Sequence, residues 1–201
     1  MIQQIVQDRK IEYLIHFTRT SNLTSILVNG LIPRSILRDN RIQFVHNDDH
    51  RFDERENRTC LSISFPNCKM FYPMTLNYPA DDWAVIRLSP NILWELDCLF
   101  TETNAATRYI KETPDNTLRG AVALEKLFAG EEIRQQQQLK SFDTTDVQAE
   151  VMVSGIIPPN YFVDLNFHYQ NRIKDLVGLQ ALAKTFPQYQ WKIRPEYFYQ
   201  R

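Results

Sequence analysis

A chain of 201 residues with 43% hydrophobic and 23% charged side chains has the balance of a globular protein, long enough for one large domain. Lysine and arginine number 23 against 24 acidic residues, and a net charge of −1 excludes a uniformly cationic nucleic-acid coat while leaving room for a local basic groove. Five glycines, with neither GxGxxG nor GxxxxGK followed by Ser or Thr, exclude the two commonest phosphate loops, and three cysteines exclude a disulfide scaffold.

In chain order, Ile11 to Phe17 is β-rich and predicts a strand. Thr20 or Ser21 then caps a short helix with Leu23, Ile26 and Leu27 at helical spacing, Gly30 as its stop and Pro33 just beyond. Residues 34–58 hold six arginines, two histidines and six acids, and read as a loop. At roughly 25 residues it exceeds what a passive connection needs, so a functional loop is expected. Thr59 to Phe65 alternates as a strand broken by Pro66-Asn67, and Trp83 to Leu88 is another strand. Ala121 to Ala129 predicts a helix between Gly120 and Gly130, followed by a polar tract from Glu131 to Val147 read as a solvated turn or helix. Strands are expected at Glu150–Val153, closed by Ser154-Gly155, and at Tyr161–Phe167; a helix at Arg172–Phe186; and a last strand at Tyr189–Phe198. With no repeat, no linker and no βαβ rhythm, the pattern reads as one α+β domain over residues 1–201. No apolar run approaches the roughly 20 residues of a membrane helix, and the N-terminus has no signal-peptide pattern, so a reducing cytoplasm is expected.

Three short strings can carry chemistry. In Gln148-Ala-Glu150, strand alternation puts the amide and the carboxylate on one face, a pair able to hold a sugar hydroxyl. In His16-Phe-Thr18 the same alternation pairs an imidazole with a hydroxyl. Ser62-Ile-Ser64 is followed by Phe71 and Tyr72, which could stack on a flat ring. Taken alone, each reads more simply as structure: two polar groups facing water, a satisfied histidine at a strand end, two core aromatics. His46, His50, Cys60 and Cys68 lack the tight paired spacing of a structural zinc site, so no metal is expected.

The order of the three strings, HxT, then SxS with aromatics, then QxE, resembles the ADP-ribosyltransferase superfamily. Within it the chain is most similar to the DarT family, DNA ADP-ribosyltransferase toxins of bacterial toxin–antitoxin systems. The resemblance covers nearly the whole sequence. It runs through His16 to Leu23 with Ile26 to Leu31, the Arg/His loop, Trp83 to Leu88, Asn104-Ala-Ala106, and Asp146 to Val151 with Ile157-Pro-Pro159.

The resemblance implies an ADP-ribosyltransferase-like fold in which two small β-sheets, with peripheral helices, flank a cleft for NAD. Glu150 is then the catalytic carboxylate, holding the ribose 2′-hydroxyl and stabilising an oxocarbenium-like transition state. His16, Thr18, Asn22, Ser64 and Gln148 are expected around NAD, with Phe71 or Tyr72 against nicotinamide. Spacing from His46 selects Arg51 as a second catalytic residue acting on the phosphates and the base, since arginine gives paired hydrogen bonds and a fixed charge. Arg55 and Arg58 compete with it but read as solvated loop charges. Thr144, Thr145 and Asp146, in the loop before Gln148, are candidate contacts to the acceptor base.

The implied acceptor is single-stranded DNA, where a base edge is accessible. Residues 166–201 fit this: six basic residues against two acids, interleaved with eight aromatics. The stretch Ser62 to Tyr72 departs from the run of the thymidine-modifying branch, leaving thymidine and guanine both open. The implied partner is a cognate antitoxin with ADP-ribosyl-hydrolase activity. The rival readings are transfer to RNA or protein, and a non-catalytic NAD or nucleic-acid binding module.

Overall fold

The computed structural model describes residues 1–45, 55–170 and 173–201. In chain order these form α1 (Ile2–Arg9), β1 (Leu14–Arg19), α2 (Leu23–Asn29), α3 (Arg34–Asp39), β2 (Arg58–Ile63), α4 (Cys68–Asn77), β3 (Trp83–Leu88), α5 (Ile92–Glu95), β4 (Cys98–Thr101), α6 (Arg108–Glu112), α7 (Gly120–Lys126), α8 (Glu131–Gln136), β5 (Glu150–Ser154), β6 (Phe162–Phe167), α9 (Leu176–Thr185) and β7 (Gln190–Ile193). The class is α+β, with seven strands ordered β4-β5-β2-β1-β3-β6-β7.

The two small sheets expected from the resemblance appear as the two halves of this one sheet. β1 follows β3 through six residue pairs from Leu14↔Leu88 to Arg19↔Trp83. Against β2 it keeps only Leu14↔Ile63 and Ile15↔Ser62. Beyond Ile15 the halves part: β2 continues along β5, from Leu61↔Val151 to Arg58↔Ser154, while β1 stays with β3. The split opens where the sequence carries His16 and Thr18.

The main core lies over both halves and joins Leu14, Leu61, Ile86, Val151 and Leu165 to Leu23, Leu27 and Leu124 from the helices and Phe128 from the turn after α7. A second cluster on the other side holds Ile15, Phe71, Trp83, Val85, Tyr197 and Phe198. Gly30 ends α2 as expected, with φ +87°, and a Cβ there would lie 2.3 Å from the Ile157 carbonyl oxygen. That close approach lets Leu31 bridge Ile157 and ties α2 to the segment after β5.

Several expectations need correction. Residues 34–39 are helix rather than loop, because Pro33 leaves an extended N-cap from which Ile36 and Leu37 can turn. Cys68–Asn77 is likewise a helix, started by Asn67, whose side chain accepts the Met70 amide. The last strand stops at Ile193, and Pro195 opens a 3-10 turn through Phe198. β6 and β7 run parallel around α9, so one βαβ unit exists after all. The four-residue β4 and the helix α1 were not anticipated.

Candidate functional site

The split between β1 and β2 opens into a cavity of about 520 Å³, within the range of small-molecule sites. His16, Thr18 and Asn22 line one wall, Arg58 to Ser62 another, and Glu150 a third; Asn67, Met70 and Met74 of α4 close it on a fourth side. Arg34 at the start of α3 and the segment Gln43–Val45 also line it. Three strings far apart in sequence therefore meet because β1, β2 and β5 are neighbours in one sheet.

His16 spans the opening, its Nδ1 3.3 Å from the Cys60 carbonyl oxygen on β2. Thr18 is buried and its Oγ1 accepts the Asn22 amide at 3.2 Å. Asn22 also donates to the Val45 carbonyl (2.9 Å) and accepts the Val45 amide (3.0 Å). Asn22 is thus the staple that lays Gln43–Val45 along the cavity. Glu150 begins β5 opposite Thr101, half-buried with its side chain at the cavity wall. Asn67 spends its Oδ1 on the α4 cap, which leaves its buried Nδ2 with no hydrogen-bond partner among the described residues. Because the Met70 amide requires an acceptor, the orientation of that side-chain amide is fixed.

Other predicted site residues fall elsewhere. The chain around Gln148 is a turn, its amide donating to Asp146 Oδ1 (2.9 Å) and that of Ala149 to the Asp146 carbonyl (3.0 Å). Strand alternation therefore does not reach Gln148, and it is not among the cavity-lining residues. Ser64 has φ +62°, which turns the chain off β2, so Ser62 lines the cavity without it. Phe71 is 0% exposed and stacks on Phe17 at 4.4 Å; it supports the cavity from behind and has no face for a ligand ring. Tyr72 leans on Tyr199 (6.4 Å) on the opposite side of α4. Arg51, His46 and His50 lie outside the described residues.

Arg55 and Arg58 are not solvated. Arg55 pairs with Asp115 (3.0 Å) and donates to the Thr113 carbonyl (3.1 Å). Arg58 is buried at the base of the cavity, paired with Asp97 (3.2 Å) and Asp115 (3.7 Å). Burial lowers its pKa, and Asp115 pulls the other way. The two arginines clasp the chain where it enters β2. Burial also pushes the Cys98 thiol up to about 12, making it a core group, and among the described residues no three His, Cys, Asp or Glu side chains gather to hold a metal.

The polar tract before Glu150, expected as a solvated turn or helix, opens with the helix α8 and is then wound around a buried arginine. Arg134 donates to the carbonyls of Asp143 (2.6 Å) and Lys140 (2.7 Å) and to Thr145 Oγ1 (3.3 Å). Thr145 Oγ1 in turn donates to the Ala129 carbonyl (2.6 Å), and buried Thr144 donates to the Asp146 carbonyl (2.8 Å). Asp146 accepts from Thr103 (2.7 Å). Thr144, Thr145 and Asp146 are thus engaged in shaping the loop that presents Glu150, and none lines the cavity. Arg134→Leu should leave these acceptors stranded, at about 1–3 kcal/mol each. Amide exchange at Lys140 and Asp143 should accelerate by roughly tenfold or more; unchanged protection there would remove Arg134 from this role.

Sequence reasoning missed Arg34, Asn67, Met70, Met74 and Arg134. The signal for Asn67 was its place after Pro66, before a helix it caps; a lone arginine in a glutamine-rich tract gave no sign that Arg134 is buried.

A model of the family described as ssDNA thymidine ADP-ribosyltransferase, DarT, matches residues 15–199. No curated protein matches the chain. Among solved structures, Thermosipho africanus DarTG in complex with ADP-ribose is similar with a TM-score of 0.65 and 16% identity, over 93% of this chain. The chain spans about half of that protein, 51%. Thermus sp. 2.9 DarT in complex with carba-NAD+ is similar with a TM-score of 0.64 and 14% identity, covering 94% of this chain and 99% of that one. The same Thermus protein in complex with ADP-ribosylated ssDNA gives 0.58 and 16%, covering 94% and 97%.

Proposed function

The chain belongs to the DarT family of ssDNA thymidine ADP-ribosyltransferases, and from that premise we propose that its β1/β2 cavity binds NAD and delivers ADP-ribose to a thymine base of single-stranded DNA. The observation that carries the reading is the meeting of His16, Thr18 and Glu150 around one cavity. The residues present suit the co-substrate: an arginine for phosphate at Arg34, hydroxyl and imidazole groups for ribose and, among the described residues, an unpartnered amide donor at Asn67 and one lining carboxylate, Glu150. No metal enters the reading.

NAD supplies a ribose carbon whose bond to nicotinamide breaks as the bond to a base nitrogen forms; the base proton is released. The task of Glu150 is to hold the ribose 2′-hydroxyl and to stabilise the positive charge that grows on the ring, an electrostatic effect strongest in a site shielded from water. His16 and Thr18 orient the ribose. Arg51 holds phosphate and acts on the base from the 46–54 segment. Residues 1–201 work as one catalytic unit. As a toxin, the protein pairs with an antitoxin that removes ADP-ribose; the DarTG relative is about twice as long as this chain, in keeping with a second unit. No described helix is long and apolar enough to cross a membrane, and the proposed compartment is the cytoplasm.

A second acceptor, guanine, is favoured by one observation: the departing stretch Ser62 to Tyr72 supplies Ser62, Asn67 and Met70 to the cavity. Incubation with NAD and oligonucleotides differing in one base, read by mass spectrometry, decides between them. The expected result is one ADP-ribose adduct, dependent on thymine. An adduct dependent on guanine moves the chain to the other branch, and adducts on protein or RNA alone, or intact NAD with every strand, overturn the reading.

A further inference from the structure

We propose that a stripe of aromatic rings, the exposed Tyr169 and Tyr199 with the half-buried Tyr72 and His168 beside them, is where the nucleotides flanking the modified base stack. The proposal rests on single-stranded DNA being the substrate and adds the path the strand takes.

α4 has two faces. Asn67, Met70 and Met74 line the cavity, whereas Lys69 is 62% exposed at its side chain and half-buried Tyr72 packs against Tyr199. Lys69 Nζ stands 3.8 Å from Asp146, four residues before Glu150. Tyr72 lies 6.4 Å from the ring of Tyr199, Tyr199 5.4 Å from His168, and His168 5.3 Å from Tyr169. Two residues after Tyr199, Arg201 reaches back to the same loop, donating to the Thr144 carbonyl (3.1 Å) with its guanidinium 3.3 Å from Asp143. Loop, helix and C-terminal segment are therefore tied together at the loop that leads into Glu150.

The aromatic content of residues 166–201 now divides by role. Six of the eight rings serve the core: Phe167 stacks on Trp191 at 5.3 Å, Phe186 and Tyr189 pack on the main cluster, and Tyr197 and Phe198 are buried in the second. The two left open, Tyr169 at 49% and Tyr199 at 40%, are the ones on the stripe. Charge along it is mixed, since Lys69 and Arg201 face Asp146 and Asp143. A duplex, which offers mainly its phosphates, gains little there. A single strand offers base faces, and stacking on aromatic rings tolerates any sequence.

The test is fluorescence anisotropy of a labelled oligonucleotide of about 12 nucleotides, without NAD, on Tyr169→Ala, Tyr199→Ala and the double variant. The expected result is roughly tenfold weaker binding by the double variant, with an unchanged salt slope because no phosphate contact is lost. Tyr199→Phe, which keeps the ring, should bind as the parent does. Because Tyr199 is partly packed, Tyr169→Ala keeps the test independent of any folding defect. Undiminished binding by the Ala variants overturns the proposal, as does weak binding by Tyr199→Phe. If the parent binds the oligonucleotide through the stripe yet forms no adduct when NAD is added, the transferase reading fails and this one stands.

Discussion

Glu150→Gln is expected to bind NAD and to lose transfer to DNA by about 10²–10³-fold, the cost of removing one well-placed stabilising group from a transition state. The substitution is nearly isosteric, so a loss of activity reports on charge rather than on packing. Its surroundings are fixed independently of its side chain: the backbone of Glu150 pairs with Thr101 on β4, and Val151, Met152 and Val153 behind it are fully buried. The folded state should therefore keep its melting temperature and its NAD-induced thermal shift. Adduct formation by mass spectrometry and NAD binding by thermal shift, on the same preparation, separate the two quantities. Full activity in the variant would take the catalytic role away from Glu150. Loss of NAD binding together with activity would make it a binding group.

How much of this site could be read beforehand depends on which physical rule each inference used. Pairing rules worked where a strand is truly paired along its length. His16-Phe-Thr18 sits inside the six-pair ladder with β3, and both polar residues line the cavity, together with Ile15 and Phe17. The same rule failed just beyond the strand ends, one residue past β2 and two before β5. Ser64 takes a left-handed φ although it is not glycine, so nothing in its identity marked the turn. Gln148 precedes the first paired residue of β5, in a turn set by the Asp146 side chain. The aromatics misled for another reason. Phe71 and Tyr72 are adjacent, but on a helix adjacent residues diverge by about 100°, so one enters the core and the other faces outward. The arginines were misjudged because exposure cannot be read from charge. Arg58 is buried because aspartates distant in sequence meet it, and Arg134 because the loop that follows it folds its carbonyls back over the guanidinium.

A second large effect is expected far from the cavity. Asp164, 0% exposed in the middle of β6, pairs with three strands' worth of donors. Directly across the ladder it faces Arg87 of β3, which forks onto both carboxylate oxygens, with Nε to Oδ1 at 2.7 Å. Lys192 of β7 reaches Oδ2 at 2.8 Å, and Asn166 donates to Oδ1 at 2.8 Å. Arg87 is itself stacked, its guanidinium 3.8 Å above the Tyr13 ring. Asp164→Ala leaves Arg87 buried with no counter-charge, and such a break costs about 3–5 kcal/mol. Denaturant unfolding should show the midpoint fall with little change in slope.

The same group predicts an acid dependence. Burial alone pushes the Asp164 carboxyl up, but the hydrogen bonds from Arg87, Lys192 and Asn166 outweigh it and hold the pKa below its ordinary value. A depressed folded pKa means the stabilisation is complete above the unfolded value of about 4 and drains away as pH falls through the folded value. Wild-type stability should therefore decline below about pH 4, and Asp164→Asn should remove that part of the decline while being less stable at neutral pH. A double replacement, Arg87→Met with Asp164→Leu, separates two explanations. If the penalty of Asp164→Ala comes from the stranded arginine rather than from a large intrinsic value of the pair, the double variant should regain much of the loss, since apolar side chains of similar volume can replace a buried ion pair at little cost. A double variant as unstable as the single one would mean that the fork itself, through its hold on β3, β6 and β7, carries the stability of this half of the sheet.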